Sequence, residues 1–593
     1  MEVKKINELK MQLSVNGKIS STIITNLLLF KNLKKHYKIV RDFEEKRLIT
    51  NIPSAYEYME KTLIAHPEIK DKVAISQNRN ITYRELQEEY NALSKYLYNI
   101  AKVNEKEKVS VCASGSIEGI VAFFAMNKIG AINARIFNGS KEDKMLKNLI
   151  SFNSKVIITD SENIDTILNI ADRTILETVI ITSEISEKKL NDIKIKNKNL
   201  KFVLYTEALE IGNKQEKDYV SSQSGEDLAS ILYTSGSSGE PKPISIPNRC
   251  YTNMVDVVCS TTGIKKCDKE KSISVVSHEY PYAAINCTIM ILLMGKTLIL
   301  PKKTSNNQID FNQLLAENPD KIQAIPNFYK LLDSAIKNGD LSIEDLNFLD
   351  TVVSGGEKYL NSDKKKLLEL LIKLNSKAML IDGFGFGELA SATALKFGLN
   401  EYFLLMNGVE AKAVNPETLE ELPSGQEGLL CLTSPTISDG YYNNEESTKK
   451  SYIRDDNQKL WFVSDTYGSV HGYKNRLIKL GGRVREYFIT GDGQGSFVKV
   501  YAGNVEDVIS SCDVIKDCIV VPSDTGATPS PVAYVSLRTN CNMTNDEIEK
   551  IVVEKCKSLE VFARPTSVII EDEIGRTPAG KKDYTLYKKK ALN

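Results

Sequence analysis

Near the start of the chain, Ile23, Leu27, Leu28 and Phe30 recur at helical spacing and give way to Lys31, Lys34 and Lys35. An apolar stripe followed by a basic stretch predicts a packing helix, within an N-terminal helical extension over residues 1–50. From Val73 onward, short β-rich apolar runs alternate with helical stretches. Examples are Val109–Ala113 then Ile117–Asn127, Lys155–Thr159 then Ile164–Ala171, Thr178–Thr182, and Ser272–Val276 before Ala283–Met294. That alternation predicts parallel sheets with crossover helices, an α/β fold. After Gln426 the strands shorten and Gly, Asn and Asp turns separate them. Val500–Asn593 alternates strand and helix again and suits a separate small domain. The expected division is a large core over 51–475 and a small C-terminal lid over 476–593.

Composition narrows the function classes. A chain of 593 residues outgrows a single hydrophobic core, in line with several domains. Lys+Arg and Asp+Glu are both 77, so net charge gives no reason to expect nucleic acid or an anionic membrane as partner. The longest apolar runs, Ile23–Phe30 and Thr288–Met294, fall far short of the ~20 residues that span a bilayer. Met1–Lys18 alternates charged and apolar residues and lacks the core of a secretory signal. The cysteines are scattered without a C-x-x-C pair, which predicts reduced, mostly buried thiols in a cytoplasmic protein. With only His36, His66, His278 and His471, a His-built metal site is not expected.

The strongest local signal runs from Ile231 to Pro243. An apolar strand enters Thr234, Ser235, Gly236, Ser237, Ser238, Gly239 and, after Glu240 and Pro241, Lys242. Glycines let backbone N–H groups approach a phosphate, hydroxyls donate to its oxygens, and a lysine neutralises its charge. The segment is not a G-x-x-x-x-G-K-[ST] loop, because Lys242 follows Gly239 by three and Pro243 succeeds it. A flexible Ser/Gly linker is the plain alternative, but linkers are seldom launched from Ile-Leu-Tyr and closed by Pro-Lys. The segment resembles the phosphate loop of the adenylate-forming superfamily: acyl-CoA synthetases, luciferases and peptide-synthetase adenylation domains. Pro243 replaces that loop's closing glycine.

Further stretches extend the resemblance in order along the chain. Ser354, Gly355, Gly356 and Glu357 resemble the family's adenine-side turn. The run from Asp382 to Glu388 resembles its Asn/Gln-x-(Tyr/Phe)-Gly-x-(Thr/Ala)-Glu stretch. By that match Phe384 stacks on adenine with Gly385 beside it, and Asp382 meets the base's amino edge. Gly383 borders the acyl pocket and Glu388 holds Mg²⁺, for which a carboxylate is the expected hard ligand. Gly387 replaces the common Thr. Gln426–Leu432 with Gly440–Asn443 resembles the strand and Gly-Tyr turn before the ribose site, and Asp465 is placed on the ribose hydroxyls. At the hinge, Tyr473 stands where an Arg is usual and Asn475 where an Asp is usual, leaving Arg476 or Arg483 to supply charge. Arg576–Asp583 resembles the closing motif, in which Gly580 and Lys581 project an ammonium into the site. Only the N-terminal extension and an insert around Glu486–Lys499 fall outside the resemblance.

The resemblance implies two parallel-sheet αβ subdomains plus a small β-barrel, followed by a small mobile α+β domain. It implies attack of a small carboxylic acid on the α-phosphate of ATP, with Thr234, Glu388 and Lys581 as catalytic residues and pyrophosphate as leaving group. Positioning and charge neutralisation carry such a step. In a second step the small domain turns and Lys479 faces the site, and a thiol of CoA or of a carrier protein's phosphopantetheine displaces AMP. No carrier attachment site follows Lys581, so a separate acceptor is expected. An amide-forming ligase with an amine acceptor and a catalytically silent nucleotide- or acyl-binding relative are the alternatives. For the acid, Ser277–Pro281 resembles the Ala-His-Asn-Tyr-Pro of aryl-acid activators, with His278 and Glu279 bordering the acyl pocket. A buried Glu279 in place of Asn favours an acid carrying a donor, a hydroxy- or amino-aryl acid.

Overall fold

A computed structural model describes residues 52–593 except 114, 235–240, 276–277, 303–309, 340, 342, 344–345, 473–474, 484–486, 492–496, 524–528, 539–542, 578–580 and 592–593. The expected N-terminal helix lies outside the described residues, as do Ser235, Gly236, Ser237, Ser238 and Gly239 of the phosphate loop and the side chain of Arg483.

The first sheet has seven strands in the order Lys201–Leu204, Thr178–Ile181, Val156–Thr159, Lys108–Cys112, Ile132–Arg135, Leu228–Thr234 and Lys242–Pro247. All neighbours are parallel except the last pair, which closes antiparallel with Thr234 opposite Lys242. Its central strands are buried on both faces, as in sheets that helices cover on either side. Helix Ile117–Lys128 is buried around its whole circumference. Helix Tyr83–Asn99 is amphipathic, burying Tyr83, Leu86, Tyr90, Leu93 and Leu97, and opens on a capping box between Thr82 and Glu85. Each large apolar side chain fully buried in this way contributes about 1.5–3 kcal/mol.

The second sheet begins at the edge strand Asn80–Thr82, antiparallel to Val73–Ser76, and continues from Val73–Ser76 in parallel through Thr297–Ile299, Lys271–Ser274, Lys321–Ala324, Thr351–Gly355 and Met379–Phe386. The antiparallel strands expected as a small barrel continue from its edge, starting with Ser391–Phe397 and Phe403–Leu405. The run expected as a helix over Ala283–Met294 opens as a π-helix, Tyr282–Ile289, and finishes as the α-turn Met290–Leu293.

The expected division at 475/476 falls just before strand Leu477–Arg483, which pairs with Leu460–His471 and Phe403–Leu405 of the large sheet. The insert expected around Glu486–Lys499 contributes strands Tyr487–Gly491 and Phe497–Tyr501, paired as an antiparallel hairpin. The C-terminal unit has its own core of Phe488, Val505, Ile509, Val520, Ile548 and Val552. It is built on strands Ile515–Ser523, Ser530–Leu537 and Ser567–Glu571 with helices Ala502–Ser510 and Asn545–Cys556. The fold is thus mixed α/β with parallel sheets and a small C-terminal domain. Among the described residues no helix is long and apolar enough to cross a membrane.

Candidate functional site

The carboxyl ends of parallel strands are where α/β sheets bind ligands, and three of the expected motifs sit there. Leu228–Thr234 ends at Thr234, which is 4% exposed and whose Oγ1 is buried without a partner among the described residues. Thr351–Gly355 runs into Gly356, whose φ of 88° is the left-handed turn that glycine adopts freely. A Cβ at Gly355 would meet Gly383 O and the Tyr282 ring, both at 3.2 Å. Met379–Phe386 carries Asp382, Gly383, Phe384 and Gly385 and turns into the short helix Gly387–Leu389.

Thr234, Lys242, Glu388 and Asp465 are linked through Gly387 and Tyr441. A Cβ at Gly387 would approach Thr234 Cγ2 to 2.7 Å, so glycine is what lets the two strand ends meet. The Tyr441 hydroxyl donates to Glu388 Oε1 at 2.6 Å, and Lys242 Nζ lies 5.1 Å above the Tyr441 ring. Burial, then Glu388 and more weakly Asp465, push the Tyr441 phenol up. The Gly440–Tyr442 turn is pinned to the strand after the phosphate loop by Ser245 N–Gly440 O and Tyr442 N–Pro243 O, each 2.9 Å. Tyr441 thus joins the site. No charge or motif pattern marks it beyond the Gly-Tyr turn.

Asp382, expected to meet the adenine amino edge, is committed to lysines. Lys364 Nζ lies 2.5 Å from Oδ2 and Lys396 Nζ 3.4 Å from it, with Lys364 and Asp382 both buried. Burial lowers the Lys396 ammonium to about 8, with Asp382 opposing and Lys364 adding to the fall. Phe384 is half-buried, its ring edge-on to Phe386 at 5.1 Å and tilted to Phe403 at 5.7 Å. Arg476 is spent on structure, donating to Leu405 O at 2.9 Å and Asn407 Oδ1 at 3.0 Å. Lys479 is exposed, 3.4 Å from Glu401.

His278 and Glu279 fall in the turn before helix residues 282–293 and are 7% and 5% exposed. Glu279 O accepts from Tyr233 N at 2.9 Å, which anchors the turn beside the phosphate-loop strand. Burial, and secondly Arg135, push the His278 imidazolium down to about 3, so the ring is neutral at ordinary pH.

Lys581 sits in the stem of a hairpin closed by Thr577 N–Lys581 O at 2.7 Å and the Arg576–Lys582 bridge. Buried ion pairs tie that stem to the large domain. Asp517 meets Arg576 at 2.5 Å, Lys330 at 3.0 Å and Lys582 at 3.7 Å, and Lys330 also meets Asp363 at 3.0 Å. Lys582 reaches Glu506 at 2.8 Å, and Arg576 lies 3.9 Å from Glu357 beside Gly356. Burial alone would raise the Asp517 carboxyl, but Lys330, Lys582 and Arg576 hold it well below the usual carboxylate range. A cleft of about 340 Å³, lined by Lys330, Tyr359, Asp363, Asp517, Arg538 and Arg576, runs between the domains.

The family model described as AMP-binding enzyme matches residues 65–442, and that of the AMP-binding enzyme C-terminal domain matches residues 504–581. Among curated relatives, a probable CoA ligase of Humulus lupulus is 25% identical over 60% of this chain and 62% of its own length. The chain thus spans about three-fifths of the length of the first curated relatives it matches. A long-chain-fatty-acid–CoA ligase of Escherichia coli is 22% identical over 84% of this chain and 88% of its own. An anthranilate CoA ligase solved with anthranoyl-AMP superposes with a TM-score of 0.75 at 18% identity, covering 91% of this chain and 98% of that one. A benzoate CoA ligase from Burkholderia xenovorans gives 0.73 at 16% identity, covering 90% and 99%. With the first model alone spanning residues 65–442 and the second spanning the unit that carries Lys581, the chain belongs to the AMP-binding enzymes, a family of the adenylate-forming superfamily.

Proposed function

We propose that this protein is an AMP-forming acid–thiol ligase: it activates a small carboxylic acid with ATP as the acyl-adenylate and passes the acyl group to CoA or to the phosphopantetheine of a separate carrier protein. The observation that carries the reading is the linked cluster of Thr234, Lys242, Tyr441 and Glu388 at the strand ends, with the Thr234 methyl against Gly387 and its buried hydroxyl without a partner among the described residues. In this reading Thr234 and Lys242 bind phosphate oxygens with the loop 235–239, and Asp465 takes the ribose hydroxyls. Gly355, Gly356, Glu357, Phe384 and Gly385 line the base. Lys581 neutralises charge developing between the acid and the α-phosphate. Glu388, one oxygen of which accepts from Tyr441, offers the hard-oxygen ligand that Mg²⁺ takes beside phosphates. The ion would supply charge neutralisation there. Nine described cysteines are free thiols, which supports a cytoplasmic setting.

The acid is aromatic in this reading. His278, Glu279 and Gly383 border its pocket in this reading, and a neutral imidazole and a buried carboxylate on one turn suit a flat, polar-substituted ring better than an alkyl chain. The printed names of the anthranilate and benzoate ligases support an aryl acid as well. Pyrophosphate release over a panel of aryl, fatty and amino acids, with and without CoA, tests the reading. It expects ATP-dependent release with an aryl acid and a thioester only when CoA or a carrier is added. Release with no carboxylic acid would overturn it.

A further inference from the structure

A carboxylate such as that of Glu279 accepts from a hydroxyl and from an amine alike, whereas the guanidinium of Arg135 distinguishes the two. This residue ends strand Ile132–Arg135 of the first sheet and is 4% exposed. Among the described residues its guanidinium makes one long hydrogen bond, from Nη2 to Gly119 O at 3.3 Å, while Nε and Nη1 are buried with no partner there. Buried donors are almost always paired, so two idle donors on one buried cation point to a missing acceptor. No carboxylate among the described residues forms an ion pair with Arg135, although Glu279 lies close enough to oppose the pull of burial on its charge.

Arg135 shares its surroundings with the turn that bears His278 and Glu279. It presses on the segment that opens helix Ile117–Lys128, where a Cβ at Gly119 would lie 3.5 Å from Nη1. His278 presses on the same segment, its Nδ1 3.1 Å from a Cβ at Gly115, and its Nε2 has no partner among the described residues. The Tyr233 hydroxyl, within the field of Glu279, is likewise buried with no partner there. Three side chains of this neighbourhood thus hold polar atoms that no described residue satisfies. Arg135 differs from the other two because it can only donate and keeps its charge.

We propose that Arg135 is a specificity-determining residue that donates to the ring hydroxyl of the acid, so that a hydroxylated aryl acid is activated in preference to its amino counterpart; this rests on the adenylating reading above. A hydroxyl oxygen accepts from Arg135 while its hydrogen is donated to Glu279. An arylamine donates to Glu279 equally well, but its lone pair is delocalised into the ring and is a weak acceptor. An ammonium is repelled by the guanidinium. An unsubstituted ring leaves the donors unpaired, the situation in which a site built for a hydroxyl discriminates most.

The test is pyrophosphate release with 2-, 3- and 4-hydroxybenzoate, the three matching aminobenzoates and benzoate, in wild type, Arg135→Met and Arg135→Lys. In wild type the best hydroxybenzoate should exceed its amino counterpart in kcat/KM by roughly ten-fold or more. Arg135→Met should bring the two within about three-fold, with the KM for ATP unchanged, and Arg135→Lys should restore part of the preference. Hydroxyl and amino acids used equally by wild type would overturn the proposal and leave the adenylating reading standing. So would an unchanged ratio in a folded Arg135→Met. If no aryl acid is turned over while another acid is, the aryl reading and this proposal fall together. Should Arg135→Met not fold, the wild-type ratio and the lysine variant decide alone.

Discussion

Gly387 and Thr234 share one space: a side chain at 387 would sit 2.7 Å from Thr234 Cγ2. The position that carries Thr in the family pattern is therefore closed to Thr here, and in the proposed site the Thr234 hydroxyl, without a partner among the described residues, takes the phosphate contact such a Thr would make. Gly387→Thr should cost about 1–3 kcal/mol of stability by overpacking and slow pyrophosphate release, read by thermal melts and steady-state rates. Lys581→Ala should lower adenylation by about 10²–10³ while ATP binding, measured by calorimetry, stays within a few-fold. Pyrophosphate exchange near the wild-type rate would remove Lys581 from the chemistry. His278 makes a prediction about pH. The unfolded chain takes up a proton below about 6.5 that the folded chain refuses until about 3, so acid favours unfolding across that window. At pH 5 the penalty is about 2 kcal/mol, and His278→Asn should lose that part of the pH dependence in urea titrations at pH 7 and pH 5.

Helix Asn361–Lys373 and strands Met379–Phe386 and Ser391–Phe397 are bound together by the Lys364–Asp382–Lys396 cluster. Lys364→Met leaves a buried carboxylate with one more distant cation and should cost about 3–5 kcal/mol; Lys364→Met with Asp382→Asn should cost less than the sum of the two singles. Additive costs in a urea double-mutant cycle would show the pair to be uncoupled. This cluster also marks where the sequence stops being legible. The parallel strands Val156–Thr159 and Thr178–Ile181 announce themselves because both faces are apolar, and their expected ends are within a residue or two. Asp382 reads as a ligand from its motif alone, since nothing in the surrounding run of charges says that Lys364 turns inward. Burial of a lysine is decided by which carboxylate the fold brings to it, and that is a tertiary fact. The π-helix over Tyr282–Ile289 is hidden in the same way, because its apolar residues fit an α-helix equally well.

Across the molecule, the ion pairs around Asp517 join residues as far apart as Lys330 and Asp517, 187 positions along the chain. No local pattern foretells them, and they join the C-terminal unit to the large sheet's helices. Because Arg576 and Lys582 flank Lys581, the same contacts that dock the small domain brace the hairpin that carries the ammonium. Lys330→Met should therefore slow pyrophosphate release while leaving thioester formation from preformed acyl-adenylate unchanged or faster, as stopped-flow measurement of each half-reaction would show. An equal loss in both would mean that the pair serves stability alone. Dissolved salt acts unevenly on such a face. Salt screens exposed charges more than buried ones, so the Arg538–Asp333 pair, with Arg538 part-exposed, weakens before the pairs on the more buried Asp517. If the two proposed half-reactions make opposite demands on this electrostatic clasp, turnover should pass through a maximum at intermediate ionic strength, and steady-state rates across a salt series check it.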